Sequence, residues 1–209
     1  MMLWRSFGRD QRGASAAEFA LVLPLLILLL LGIIDAGRFM WEYNQAEKAT
    51  QMGVRYAVAT GVVPTGIRTY SFAASGGVTA GEPIPTSSAG SPPAWFASAT
   101  CNNTTCTCSG SSAFCTAIGY DSAAFTAIVK RMNNMYAGVT AARVTIEYRN
   151  VGLGFAGDPN GPDVEPLVTV TLTGMQFKPL STMMLGLNVN MPDFRSALTL
   201  EDGQGIVAN

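Results

Sequence analysis

The N-terminal part of the chain has the hydrophobic pattern of one long helix. Residues 19–34 contain no charged residue and lie between Glu18 and Asp35. With the apolar residues on either side, the run reaches the roughly 20 residues that a helix needs to cross a bilayer. No proline follows as far as Thr60, and small and aromatic residues recur there at spacings of three and four. The pattern predicts a single helix over about residues 14–60.

Membrane insertion would divide that helix into two parts. We expect residues 14–41 to form a transmembrane helix and residues 42–60 to be its exported continuation. Residues 1–13 hold three arginines and a single aspartate. Because basic residues stay on the cytoplasmic side of a span, this leader is predicted to lie in the cytoplasm, with the C-terminal domain on the other side.

Two other interpretations fit an apolar run of this length. One is the buried helix of a soluble protein, although six of the eight residues from Leu25 to Gly32 are leucine, which is dense even for a core helix. The other is a secretory signal removed after Ala36. That site would place the large Ile34 where a small residue is preferred.

Residues 121–209 combine a helical period with strand alternation. From Ser122 to Tyr136 the apolar positions have helical spacing, with Asp121 as the N-cap and Gly138 as the stop. The period then changes to two in RVTIEYR and in LVTVTLTGMQF, and a weaker strand is expected over residues 194–200. The predicted fold class is therefore α+β, a long N-terminal helix packed on a small antiparallel sheet.

Residues 61–120 are rich in Gly, Ser, Thr, Ala and Pro, which predicts a surface insertion with little regular structure. All four cysteines lie within it: Cys101, Cys106, Cys108 and Cys115. In an exported segment an even cluster of cysteines indicates disulfides. Because a bridge between Cys106 and Cys108 would be strained, two pairings remain, 101–106 with 108–115 or 101–108 with 106–115. A four-cysteine zinc site is the alternative, but the C-x₂-C pairs typical of zinc ribbons are missing.

A short acidic segment connects the first two predicted strands. It offers four oxygen-bearing side chains at Asp158, Asn160, Asp163 and Glu165. Calcium prefers such ligands, but the spacing does not fit the twelve-residue calcium loop. Since Pro-Asn-Gly is by itself a strong turn signal, we predict a turn here and keep calcium as the weaker alternative.

The composition of the chain argues against several classes of function. Charged residues make up only 13% of the chain, the net charge is −1, and there is no histidine. The charge balance argues against a nucleic-acid partner, which usually meets a basic face. The lack of histidine removes Ser-His-Asp and Cys-His nucleophile systems as well as histidine-ligated zinc. We expect no enzymatic activity and no cofactor.

Acidic residues stand at both ends of the apolar run. Asp35 and Arg38 are three residues apart and can form an ion pair on one helix face. Glu18 lies directly before the run, where a carboxylate is costly unless it is paired or functional. If a protease cut after Gly13, the new amino terminus at Ala14 would lie one helical turn from Glu18. The amine of one helix could then pair with Glu18 of a neighbouring helix.

The stretch QRGASAAEFALVLPLLILLLLGIIDAGRFMW resembles the N-terminus of TadE-like proteins, the minor pilins or pseudopilins of bacterial tight-adherence (Flp-type) pili. A weaker likeness to these domains lies in VTVTLTGMQFKPL. The resemblance implies that Gly13 ends the leader, that Ala14 is the mature N-terminus, and that Glu18 acts in assembly. Phe19 stands where the family often has tyrosine.

The resemblance also implies a set of partners and a location. They are the lipid bilayer of the inner (cytoplasmic) membrane, a prepilin peptidase, other pilins and tight-adherence secretion components. A single-span tether carrying a binding or enzymatic domain is the alternative, with candidate acids at Asp121, Glu147, Asp158, Asp163 and Glu165. A secreted adhesin that has lost its first 36 residues is a further one.

Overall fold

The computed structural model describes residues 13–86, 96–182 and 186–201. The chain divides into two compact units. Unit 1 comprises the chain up to Trp41 together with Gln176–Val189, and unit 2 comprises Glu42–Met175 together with the chain from Asn190 onward. The fold is α+β, with a long N-terminal helix and a small antiparallel sheet, as the sequence predicts.

Helix α1 spans Ala14–Ala59 without a break, in agreement with the predicted residues 14–60. Its residues in unit 2 bury one stripe of small and branched side chains: Ala46, Ala49, Val54, Ala57 and Val58. Gly53 belongs to the same stripe. A Cβ atom there would lie 2.6 Å from Cγ of Met132 and 3.5 Å from Cγ1 of Val170. The absence of a side chain at Gly53 therefore lets α1 approach its neighbours closely.

The main sheet of unit 2 has five antiparallel strands in the order β2-β1-β3-β4-β7. Their bounds are β1 Phe96–Cys101, β2 Cys106–Gly110, β3 Val144–Arg149, β4 Leu167–Leu172 and β7 Phe194–Thr199. Strands β3 and β4 alternate buried and less buried residues along their length, which confirms the period of two in the sequence. The weaker third strand is also confirmed as β7.

The expectation of little regular structure in residues 61–120 is wrong for the described residues. This segment contains strands β1 and β2 and the short helices α2 (Gly66–Thr69) and α3 (Ser112–Thr116). It also supplies five of the largest fully buried side chains: Ile67, Phe72, Ile84, Phe96 and Phe114. The rings of Phe72 and Phe96 contact the ring of Phe114 at centroid distances of 5.3 and 4.8 Å. The segment is therefore part of the hydrophobic core and of the sheet.

Helix α4 spans Ser122–Asn133 and ends earlier than the sequence predicts. The N-cap is confirmed, since the carboxylate of Asp121 accepts hydrogen bonds from the backbone N–H groups of Ala123 and Ala124. At the other end, the side-chain amide of Asn133 donates to the carbonyls of Ala137 and Val139. These hydrogen bonds hold the chain in a non-helical turn after Asn133. Gly138 therefore lies beyond the end of α4.

The predicted strand LVTVTLTGMQF is divided in two. Strand β4 ends at Leu172, and Gly174 then adopts a φ of 68°, in the left-handed region that favours glycine. The remainder forms β5 (Gln176–Phe177), which pairs with β6 (Val189–Asn190) in a separate two-stranded sheet. The break at Gly174 thus separates the main sheet from the loop that follows.

Candidate membrane and assembly site

The apolar part of α1 leaves its large side chains uncovered. The exposed fraction of these side chains runs from 38% at Leu23 to 77% at Leu21. The helix contains an 18-residue window with a mean hydropathy of 2.7, none of it buried, and is long and apolar enough to cross a membrane. Each large apolar side chain gains roughly 1.5–3 kcal/mol on leaving water. An apolar surface of this extent needs hydrocarbon or other apolar helices around it.

Glu18 stands at the head of this apolar surface. It lies in the first turns of α1, four residues after Ala14, and its side chain is exposed. Among the residues that the structure describes, none forms a hydrogen bond or ion pair with its carboxylate. Gly13 is exposed as well, with no atom within 4 Å of where a Cβ would lie. The predicted processing site and the predicted assembly residue are therefore both accessible, while the basic residues before Gly13 lie outside the described part of the chain.

Asp35, at the other end of the apolar run, is buried, with 6% of its surface exposed. One carboxylate oxygen accepts a hydrogen bond from the backbone N–H of Leu180 at 2.7 Å, and the other accepts from that of Ser181 at 2.8 Å. The ion pair with Arg38 is present, with Nη1 3.4 Å from the carboxylate. Asp35 thus fastens the chain that follows β5 to the membrane helix.

Arg38 and Phe39 strengthen the same junction. The Arg38 guanidinium donates to the carbonyl of Lys178 at 3.4 Å and lies over the ring of Phe177, 5.3 Å from its centroid. The ring of Phe39 meets that of Phe177 edge to face at 5.5 Å. Cation–π and edge-to-face contacts of this kind are each worth roughly 0.5–1.5 kcal/mol. Asp35, Arg38 and Phe39 of α1 therefore all contact the segment from Phe177 to Ser181.

Between the helix and this loop lies an open groove of about 360 Å³. Its apolar and small lining residues are Gly32, Ala36 and Phe39 of α1, Phe177 of β5, Pro179 of the loop and Val189 of β6. Gly32 and Ala36, two small residues four apart on α1, are thus exposed to this groove. The loop residues that complete it were not identified from the sequence.

The cysteines form two disulfides in unit 2, Cys101–Cys106 and Cys108–Cys115. This is one of the two pairings that the sequence leaves open. The first bridge joins the facing ends of β1 and β2, where Cys101 and Cys106 are register partners. The second joins β2 to α3. The first bridge therefore fastens the edge strand β2 to β1, and the second connects β2 to the helix that carries Phe114.

The acidic segment over residues 158–165, which the sequence offers as a possible calcium site, forms turns. The side chain of Asp158 accepts a hydrogen bond from the backbone N–H of Asn160 at 2.8 Å. Asp163 is buried and accepts from the backbone N–H of Phe72 at 2.6 Å. In the described part of the chain no three acidic, histidine or cysteine side chains come together as metal ligands. Asp163 has a structural role here that its sequence context did not indicate.

Three tyrosines of unit 2, Tyr120, Tyr136 and Tyr148, have a raised pKa, and two of them form hydrogen bonds through their hydroxyls. Burial raises the pKa of Tyr148, whose hydroxyl is fully buried and accepts a hydrogen bond from the backbone N–H of Val63 at 3.2 Å. Burial also raises the pKa of Tyr136, and the nearby Glu42 carboxylate acts in the same direction. The Tyr136 hydroxyl donates to that carboxylate at 3.4 Å. Both hydrogen bonds lie within unit 2, where Tyr136 contacts the part of α1 that belongs to this unit and Tyr148 contacts the chain that follows it.

Comparison with known proteins supports the resemblance in one part of the chain. Residues 13–55 match the family model described as TadE-like protein. The match includes Gly13, Glu18 and Asp35 but covers less than a quarter of the chain. No curated protein and no solved structure matches the chain. The match and the apolar helix together fit a single-pass membrane protein associated with tight-adherence pili.

Proposed function

We propose that the chain is a membrane-anchored minor pilin or pseudopilin, a structural assembly component of a bacterial tight-adherence pilus. The observation that carries the proposal is the exposed apolar surface of α1 with Glu18, which has no partner among the described residues, at its head. The TadE-like match over residues 13–55 supports the same function.

The helix serves two purposes in this proposal. In the bilayer, lipid covers its apolar surface. On extraction into a fibre or its base, helices of neighbouring subunits must replace that lipid, because so wide an apolar stripe is not stable in water. Gly32 and Ala36 allow close approach of such a neighbour. Anchoring and assembly therefore use the same surface at different stages.

Glu18 gives that assembly its register. A prepilin peptidase that cuts between Gly13 and Ala14 creates an ammonium group one helical turn from Glu18 on its own chain. In an assembly, the ammonium of one subunit meets Glu18 of the next, which neutralises a carboxylate that hydrocarbon would otherwise surround. A charge pair of this kind fixes the axial offset between neighbouring subunits.

The proposed location is the inner membrane, with the leader in the cytoplasm and unit 2 on the other side. The arginines of residues 1–13 and the two disulfides support this orientation, since disulfides form outside the reducing cytoplasm. A structural rather than enzymatic role is supported by the carboxylates of unit 2. Asp121 caps α4, Asp163 accepts from Phe72, and Glu147 pairs with Arg149.

The test uses the full chain in a cell that assembles these pili. The mass of the mature N-terminus should identify Ala14 as the first residue. Glu18→Ala should insert into the membrane in normal amount but fail to enter the assembly, because the neighbouring ammonium has no partner. Glu47→Ala is the matched control, since Glu47 is an exposed glutamate of the same helix outside the apolar run.

Each outcome separates the candidate functions. Normal incorporation of Glu18→Ala would refute the pairing. A first residue at Gly37 would indicate secretion after Ala36, and an intact Met1 with no assembly partner would indicate a simple tether.

A further inference from the structure

We propose that the described parts of the loop over residues 178–189, namely 178–182 and 186–189, form a second membrane contact, one that inserts into the outer interface of the bilayer beside α1. The inference rests on the membrane insertion of α1 in the proposed function, and adds that unit 1 meets lipid through two segments instead of one.

The composition of the loop is the first argument. The sequence contains no charged residue between Lys178 and Asp193. Within unit 1, Leu180, Leu187 and Val189 expose 41%, 57% and 46% of their surfaces. A loop in contact with water alone is normally polar, and an apolar patch of this kind marks a contact with membrane or protein.

The depth of the loop is the second argument. The uncharged run 19–34 is about 24 Å long at 1.5 Å per residue, somewhat less than the hydrocarbon thickness of about 30 Å. Hydrocarbon centred on the run therefore extends about two residues beyond each end, to the level of Ala36. The groove that the loop forms with α1 is lined by Gly32 and Ala36, so the loop reaches the level of the hydrocarbon edge.

The attachment of the loop is the third argument. Asp35 accepts hydrogen bonds from the backbone N–H groups of Leu180 and Ser181, at 2.7 and 2.8 Å. Two loop amides that lipid could not satisfy are thereby paired, and so is a carboxylate at the hydrocarbon boundary. The pairing removes the polar cost of placing this backbone at the membrane surface, and it leaves the leucine side chains free to enter lipid.

Lipid is the occupant that these observations favour over a protein partner. Pro179 and Val189 line one groove with Gly32 and Ala36 of α1, so this part of the loop adjoins the apolar surface of α1, which faces hydrocarbon when the chain is in the membrane. Lys178, whose side chain is exposed at the start of the loop, carries a charge suited to the headgroup level. The proposal therefore assigns the loop to the outer leaflet of the membrane in which α1 is anchored.

The experiment measures quenching of single tryptophans by brominated phosphatidylcholine. The full chain is reconstituted into vesicles at a low protein-to-lipid ratio, with Trp4, Trp41 and Trp95 replaced by phenylalanine. Leu187→Trp probes the loop, and Leu28→Trp is the reference within the span. Leu198→Trp, in β7 of unit 2 between Arg195 and Glu201, is the control for an exposed leucine outside unit 1.

The expected result is a blue-shifted emission and a loss of emission at position 187 comparable to that at position 28, with no loss at position 198. Quenching at 28 but not at 187 would overturn the loop contact and leave the membrane helix intact, with a protein partner as the remaining occupant. No quenching at either position would overturn the insertion of α1, and with it the proposed function.

A second variant tests the attachment. Adding Asp35→Ala to the Leu187→Trp protein should reduce quenching at position 187, because the two loop amides lose their acceptor. Adding it to the Leu28→Trp protein should leave quenching unchanged. Unaltered quenching at 187 would overturn the role of Asp35 in setting the depth of the loop.

Discussion

Phe114 offers the sharpest test of whether the disulfide-bearing segment belongs to the core. Its ring is fully buried and contacts the rings of Tyr70, Phe72 and Phe96 at 5.2, 5.3 and 4.8 Å. Truncation of a buried phenylalanine to alanine costs about 3–5 kcal/mol. The three ring contacts place Phe114→Ala toward the upper end of that range, since each aromatic pair adds roughly 0.5–1.5 kcal/mol beyond area burial.

The assay is urea denaturation of the full chain in detergent, with unfolding monitored by near-ultraviolet circular dichroism. Ser112→Ala is the matched control, an exposed residue at the start of the same short helix, and should change the free energy of unfolding by less than about 0.5 kcal/mol. With a denaturant slope of about 1–3 kcal/mol per molar, Phe114→Ala should lower the midpoint by more than about 1 M. A loss no larger than that of the control would mean that residues 61–120 are a surface insertion after all.

Two further predictions concern unit 2. Reduction should lower the free energy of unfolding by about 2 kcal/mol for each disulfide, because each bridge restricts a short loop of the unfolded chain. Urea denaturation with and without reductant measures the effect, and equal midpoints would contradict it. Because burial raises the pKa of Tyr148, the unfolded chain loses this proton near pH 10 while the folded chain keeps it. The contribution of Tyr148 to the free energy of unfolding should therefore be fully present below pH 10 and decrease above it by up to about 1.4 kcal/mol per pH unit. In Tyr148→Phe the free energy of unfolding should decrease less steeply above pH 10 than in the parent chain. Tyr120 and Tyr136, whose pKa values are also raised, account for the decrease that remains. An equal decrease in the two proteins would exclude Tyr148 as a cause.

The elements that the sequence predicts well are those whose hydrophobic period is local. Strands β3 and β4 alternate branched or aromatic residues with polar ones, and α1 has an uninterrupted apolar run followed by a small-residue stripe. Each pattern is complete within its own segment. It can therefore be recognised without knowing what the segment contacts.

Strand β1 could not be predicted in this way. Its sequence FASATC consists mainly of small residues, and a register shift between Phe96 and Ser98 breaks the alternation of buried positions. The strand forms because it pairs with β3, with Ala99 opposite Tyr148 and Cys101 opposite Ile146. Those partners lie more than forty residues away in the sequence, so no local period reveals them.

The same limit applies to Asp35. Its spacing to Arg38 predicts the ion pair correctly, but the two backbone amides that donate hydrogen bonds to it lie 145 and 146 residues further along the chain. The one sequence signal for that contact is the uncharged stretch after Lys178. It becomes informative only when read together with an acid at the end of a membrane helix.

The two acids that bound the apolar run therefore differ in what they need. Asp35 has its hydrogen-bonding capacity filled from within unit 1, so it can stay at the hydrocarbon edge without any other molecule. Glu18 has no such partner among the described residues, and the cost of its charge next to hydrocarbon persists until something outside the described chain relieves it. A carboxylate that is already satisfied fixes structure, whereas one that is unsatisfied favours association. This difference is why we assign anchoring of the loop to Asp35 and assembly to Glu18, although both stand at equivalent positions at the ends of the same run.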